Sequence, residues 1–172
     1  MSQKPFRPLS VAVLSVSDSR DLSNDSSGAL LVEALAAAGH VLAERALCRD
    51  DIYAIRARLS AWIADPAVEV VITTGGTGIT GRDGTPEAIA PLLDKTIEGF
   101  GELFRMLSFE DIGASTIQSR CLAGVANATL IFALPGSRGA VQLAWDKILA
   151  PQLDLRTRPC NFAMLVPRLG ER

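Results

Sequence analysis

Three short apolar runs, each broken off by small polar residues, constrain the fold of this chain more than any other feature. Ser10 to Val16 is β-branched and apolar and stops at Ser17-Asp18-Ser19. Val41 to Cys48 is a second such run, and Val68 to Thr74 a third that passes into Gly75-Gly76-Thr77-Gly78. Between the first two, Leu30, Leu31, Ala34, Leu35 and Ala38 recur at helical spacing, with Asp25 or Ser26 as N-cap and Gly39 placed to end the helix. Between the second and third, Ile52, Ile55, Leu59, Trp62 and Ile63 share one face, and Asp50 can cap them. Strand and helix in alternation predict a parallel sheet covered by helices on both faces.

Further along, Thr85-Pro86-Glu87 reads as a helix start, with Thr85 as N-cap and Pro86 first in the helix, and Pro91 keeps that helix short or kinked. Gly99 to Ile112 predicts a helix whose apolar residues, Phe100, Leu103, Phe104, Met106, Leu107, Phe109 and Ile112, surround most of its circumference. Such a helix is buried on several sides and suits a subunit interface as well as a core. Cys121 to Ala126 and Ala128 to Leu134 read as two strands around Asn127, the second ending at Pro135-Gly136-Ser137. A helix from about Arg138 to Leu149 follows, then a helical turn after Pro151 and an extended tail from Arg158 to Arg172. No linker or repeat divides residues 1–172, so one domain is expected.

Composition narrows the function. With 17 Lys and Arg against 19 Asp and Glu and no block of like charge, the chain lacks the basic footprint of a nucleic-acid binder. Met1 to Leu9 has no apolar leader core, and no apolar run approaches the roughly 20 residues that span a bilayer, so a cytoplasmic location with no membrane partner is expected. Cys48, Cys121 and Cys160 are scattered, which suits reduced thiols in a core. His40 is the only histidine, which argues against a Ser-His-Asp triad or a multi-histidine zinc site.

If the first, third and last strands are parallel neighbours, the loops after them open on one crevice at the carboxyl edge of the sheet. Those loops supply Ser17 and Asp18; Thr74, Gly75, Gly76, Thr77 and Gly78; and Pro135, Gly136 and Ser137. Close glycines let the backbone approach a ligand and turn N–H groups toward phosphate oxygens, although a ligand-free tight turn satisfies the same letters. Gly76 to Gly81 spells the dinucleotide fingerprint, but the helix start is delayed to Thr85 and no strand with an acidic tip lies about 20 residues on. No Lys-Ser or Lys-Thr follows the glycines, so the P-loop pattern fails too. Asp83, before a helix start, and Asp50, after the second strand, are turn or capping aspartates or a pair able to hold Mg²⁺ against polyphosphate. Arg82 can offset phosphate charge; Arg49, Arg120 and Arg138 are further candidates, each by default a solvated arginine.

Val70 to Gly78 followed by Arg82-Asp83-Gly84-Thr85-Pro86-Glu87-Ala88 resembles the MoaB/Mog family of molybdenum cofactor biosynthesis. So do Ser17-Asp18-Ser19, Asp25-Ser26-Ser27-Gly28, Glu98 to Glu102 and Leu134-Pro135-Gly136, in one order across nearly the whole chain. Phe104 to Glu110 and Arg156 to Phe162 are similar to the MoaB branch. The resemblance implies a three-layer α/β/α sandwich with a mostly parallel central sheet, and a homotrimer or homohexamer. It implies binding of molybdopterin and, in active members, transfer of AMP from Mg-ATP to its terminal phosphate with release of pyrophosphate. Other proteins of the same pathway are implied as partners. The family's two functional aspartates fall on Asp83 and Asp50, although Arg49 stands where the family commonly has Pro, and Ser137-Arg138 where the Mog branch often has Pro-Lys. Two functions remain open from sequence: an active molybdopterin adenylyltransferase, which the Arg82-Asp83-x-Thr85 arrangement favours, and a catalytically silent molybdopterin-binding or assembly paralogue.

Overall fold

The computed structural model describes residues 5–171. The opening residues of the Met1 to Leu9 segment and the last residue of the tail lie outside them. Six strands form one sheet in the order β2-β1-β3-β6-β5-β4. The first three are β1 (Ser10–Val16), β2 (Val41–Cys48) and β3 (Val70–Thr74); the others are β4 (Lys95–Thr96), β5 (Leu122–Ala126) and β6 (Thr129–Leu134). β2, β1, β3 and β6 run parallel, while β5 and β4 are antiparallel additions.

Alternation of side chains along each central strand builds a core on both faces. Val11, Val13, Val70, Ile72, Leu130 and Phe132 point to one side, where α1 (Ser26–Ala38), α4 (Glu98–Ile112) and α5 (Arg138–Ala144) pack. Ala12, Leu14, Val71, Ile131 and Ala133 point to the other, against α2 (Ile52–Ala64) and α3 (Thr85–Ile89). Each fully buried Leu, Ile or Phe contributes about 1.5–3 kcal/mol. The layers are therefore helix, sheet, helix, as expected. His40 belongs to the framework: buried beside Trp145, its Nδ1 accepts the Leu9 N–H.

Several local expectations are corrected. The cap of α2 is Asp51, whose carboxylate accepts the Ala54 N–H, so Asp50 does not cap it. Gly84, not Thr85, occupies the N-cap position of α3, because the Thr85 hydroxyl donates to the Gly75 carbonyl instead. β3 begins at Val70 rather than Val68, since Val68 N–H closes a turn onto Asp65. The predicted helix from Arg138 widens to a π-helical turn over Trp145–Leu149 before α6 (Ala150–Leu153). The tail is not extended, because Asn161 caps α7 (Phe162–Leu165) and a 3₁₀ turn follows over Val166–Arg168. Cys160 is exposed, leaving Cys121 as the fully buried thiol. Within the chain α4 buries one face only, through Phe100 and Phe104, while Met106, Phe109 and Ile112 are exposed together with Ile117.

Candidate functional site

The strand order reverses at β1, which has β2 on one side and β3 on the other. A crevice therefore opens beyond the carboxyl ends of β1, β3 and β6, where such sheets place ligands. It has a volume of about 570 Å³ and is walled by Ser17 from the β1 loop, Thr74 to Gly78, and Pro135, Gly136 and Ser137. The three loops read from sequence as converging do converge.

The glycine loop is held from behind. The Gly75 N–H donates to Leu134 O (3.0 Å) and the Thr74 hydroxyl to Pro135 O (2.9 Å), so the β3 loop is tied to the β6 loop. Gly75 and Gly76 have φ of +102° and +66°, in the left-handed region. A Cβ at Gly75 would collide with the Val16 carbonyl, and one at Gly76 would meet Thr85 Oγ1 and lie 2.6 Å from Asp50 Oδ2. Only glycine allows this path. Among the described residues the amides of Gly76 and Thr77 donate to no protein acceptor.

Two carboxylates flank the loop. Asp83 lines the crevice and accepts the Thr80 N–H (2.8 Å) and hydroxyl (2.6 Å), which hold its carboxyl below the usual carboxylate range. Asp50 accepts the Gly84 N–H (3.0 Å). Partial burial pushes its carboxyl above the ordinary value, and the negative charges of Asp83 and Asp18 add to that effect. Asp50 faces a second pocket of about 620 Å³, which it shares with Arg49, Tyr53, Arg82 and Asp83. Asp83 thus borders both spaces. Arg82 pairs with Asp18 (2.5 Å), and Asp18 also accepts the Asp50 N–H, so both sit beside Asp50 rather than along the crevice wall. Arg138 and Arg49 do not line the crevice.

Sequence reasoning missed part of the site. Arg20 is the one cationic side chain on the crevice wall among the described residues, carried on a turn whose Ser19 and Arg20 N–H groups donate to Ser17 Oγ. Asp25, read as a helix cap, does accept the Gly28 N–H, but it is also buried at the crevice floor, where it accepts Ser15 Oγ and pairs with Arg45 (3.0 Å). Burial alone would push its carboxyl above the ordinary carboxylate range, yet those donors together hold it below the ordinary value. Gln118 and Ser119 close the crevice from the segment before β5. A Ser-Asp pair ten residues apart across a strand end was the available signal for Ser15; nothing local marked Gln118. Among the described residues, no three or more His, Cys, Asp or Glu side chains are grouped to hold a metal ion, and no helix is long and apolar enough to cross a membrane.

The geometry defines an open α/β protein with a crevice at its switch point, walled by a glycine loop with two unpaired amides and by one arginine. Residues 12–155 match the family model described as "Probable molybdopterin binding domain". The chain is 57% identical over 157 residues to molybdenum cofactor biosynthesis protein B of Escherichia coli (strain K12), covering 91% of this chain and 92% of that one. It is 48% identical to the protein of that name from Staphylococcus epidermidis, with 86% of each chain covered. A crystal structure of molybdenum cofactor biosynthesis protein B superposes with a TM-score of 0.88 at 39% identity, over 98% of this chain and 100% of that one. The tungsten cofactor synthesizing protein MoaB from Pyrococcus furiosus gives 0.80 at 31% identity, over 96% and 99%. The chain belongs to the MoaB/Mog family of molybdenum cofactor biosynthesis proteins.

Proposed function

We propose that the protein binds molybdopterin in the crevice and transfers AMP to its terminal phosphate from Mg-ATP held in the adjoining pocket, releasing pyrophosphate. The observation that carries this reading is Asp83, which borders both spaces and is therefore beside the junction of two bound anions. The free amides of Gly76 and Thr77 and the guanidinium of Arg20 suit a phosphate in the crevice. Asp50 and Asp83 line the same pocket, and a divalent cation there would offset both the partial burial that raises the Asp50 carboxyl and its repulsion by Asp83, so the two would hold the Mg²⁺ that enters with its nucleotide.

The chemistry asks little of acid–base groups. A phosphate monoester has a second pKa near about 6, so the terminal phosphate is largely dianionic at neutral pH and needs no general base. One of its oxygens attacks the α-phosphorus of ATP and forms the new P–O bond, while the bond from that phosphorus to the β-phosphate oxygen breaks. The electron pair leaves with pyrophosphate. The protein aligns and neutralises two anions, which positioning and fixed electrostatics accomplish.

In the assembled protein the exposed apolar residues of α4, with Ile117, would be covered by further copies of the chain, giving the trimer or hexamer the family resemblance implies. Incubating purified protein with molybdopterin and Mg-ATP tests the activity. Adenylylated pterin and pyrophosphate should form together, and Asp83→Asn should form neither while still binding pterin. Pterin bound without product by the unaltered protein would overturn AMP transfer and leave a molybdopterin-holding protein.

A further inference from the structure

Arg120 lies just before β5, far in sequence from the glycine loop, yet it makes four contacts to the loop and its flank. Its main-chain N–H donates to Thr77 O (3.1 Å) and its Nε to Gly78 O (2.7 Å). Nη2 donates to Asp83 O (3.0 Å), and Nη1 pairs with Glu87 in α3. The guanidinium does not line the crevice; it faces a small side pocket with Ile79, Thr80, Asp83 and Glu87. It touches the loop from outside, at both ends of the Gly78 to Asp83 turn.

We propose that Arg120 is a positioning residue, which locks the glycine loop and Asp83 into the arrangement the crevice requires without contacting either substrate. The reasoning starts from the loop's own freedom. With glycine at 75, 76 and 78, the backbone has many alternatives, and the contacts behind it stop at Gly76 on the β3 side. Beyond that point the main-chain N–H at 120 holds Thr77 O whatever the residue, Thr80 holds Asp83 within its turn, and the Arg120 side chain alone ties Gly78 and Asp83 to each other across that turn and to α3. A planar guanidinium donates in three directions at once, whereas a lysine ammonium at the end of a flexible stem does not reproduce that fork. Shape, not charge alone, is what Arg120 provides.

The inference rests on the AMP-transfer reading for its catalytic consequence, so the test carries a readout independent of turnover. Arg120→Ala and Arg120→Lys are compared with the unaltered protein by amide hydrogen exchange over residues 75–87 and by steady-state kinetics. Exchange should accelerate roughly tenfold or more in this segment and stay unchanged in β1 and β6. In both variants kcat should fall roughly 10–100-fold, because a displacement of about 1 Å in a reacting group costs that much, while KM for each substrate moves only a few-fold. The Lys variant, which keeps the charge, should not rescue kcat. Loop exchange that is unchanged in both variants, or restored by lysine, would overturn the proposal. So would an effect on KM alone. If the unaltered protein makes no product, the AMP-transfer reading falls while the exchange comparison still decides the role of Arg120.

Discussion

Gly76→Ala separates the requirements of the loop from the general tolerance of a surface turn. At φ +66° an alanine carries an intrinsic penalty of roughly 1–2 kcal/mol. Its Cβ also collides with Thr85 Oγ1 and lies 2.6 Å from Asp50 Oδ2, both held by other bonds: Thr85 to the Gly75 carbonyl and Asp50 to the Gly84 N–H. Overpacking of that kind costs about 1–3 kcal/mol. A combined loss of about 3 kcal/mol corresponds to a Tm lower by roughly 6–12 °C for a domain of this size. Gly81→Ala is the control, since its Cβ would meet nothing within 4 Å. It should be neutral or stabilise by about 0.4–1 kcal/mol through the unfolded chain. Urea denaturation at fixed protein concentration measures both. A Gly76→Ala midpoint within about 0.5 kcal/mol of the unaltered protein, or equal losses for the two variants, would refute the reasoning.

Asp25→Ala removes the partner of Arg45 and the cap of α1, and should cost about 3–5 kcal/mol at neutral pH. The sign with pH follows from a folded-state carboxyl held below its ordinary value: its stabilisation is fully present above the unfolded value near about 3.9 and is lost as pH falls through the folded value. The stability gap between variant and unaltered protein should therefore narrow in acid, and urea midpoints at pH 7 and pH 3 check it. Phe109→Glu combined with Ile117→Glu should lower the mass measured by light scattering by at least half while leaving the circular dichroism spectrum unchanged; an unaltered mass would remove the α4 face from the assembly.

Strand and helix ends with a local cause were legible in the sequence. β1, α1 and β2 lie where periodicity put them, with Asp25 capping and Gly39 closing the helix in the left-handed conformation. The capping errors came from competition between neighbours. Asp50 and Asp51 are equally good caps by type, and only the tertiary contact to Gly84 selects Asp51 and frees Asp50 for the pocket. Thr85 is likewise drawn away by a carbonyl on the glycine loop. β4 is two residues long and is defined by pairing with Gly124 and Val125, so no periodicity of its own exists to be read. The three crevice loops could be placed because each ends a strand. Gln118 approaches the crevice from a segment with no glycine or capping signature, and Arg120, named from sequence only as one of several arginines, has its place behind the glycine loop set by tertiary packing alone.

The transfer of AMP to molybdopterin is tested most directly by following the label of ATP carried at the α-phosphorus and, separately, at the γ-phosphorus. The α-label should appear in the pterin product and the γ-label in pyrophosphate, in equal amounts, with both absent in Asp83→Asn. A pterin carrying the γ-label, or one carrying no label after binding is established, would contradict the account.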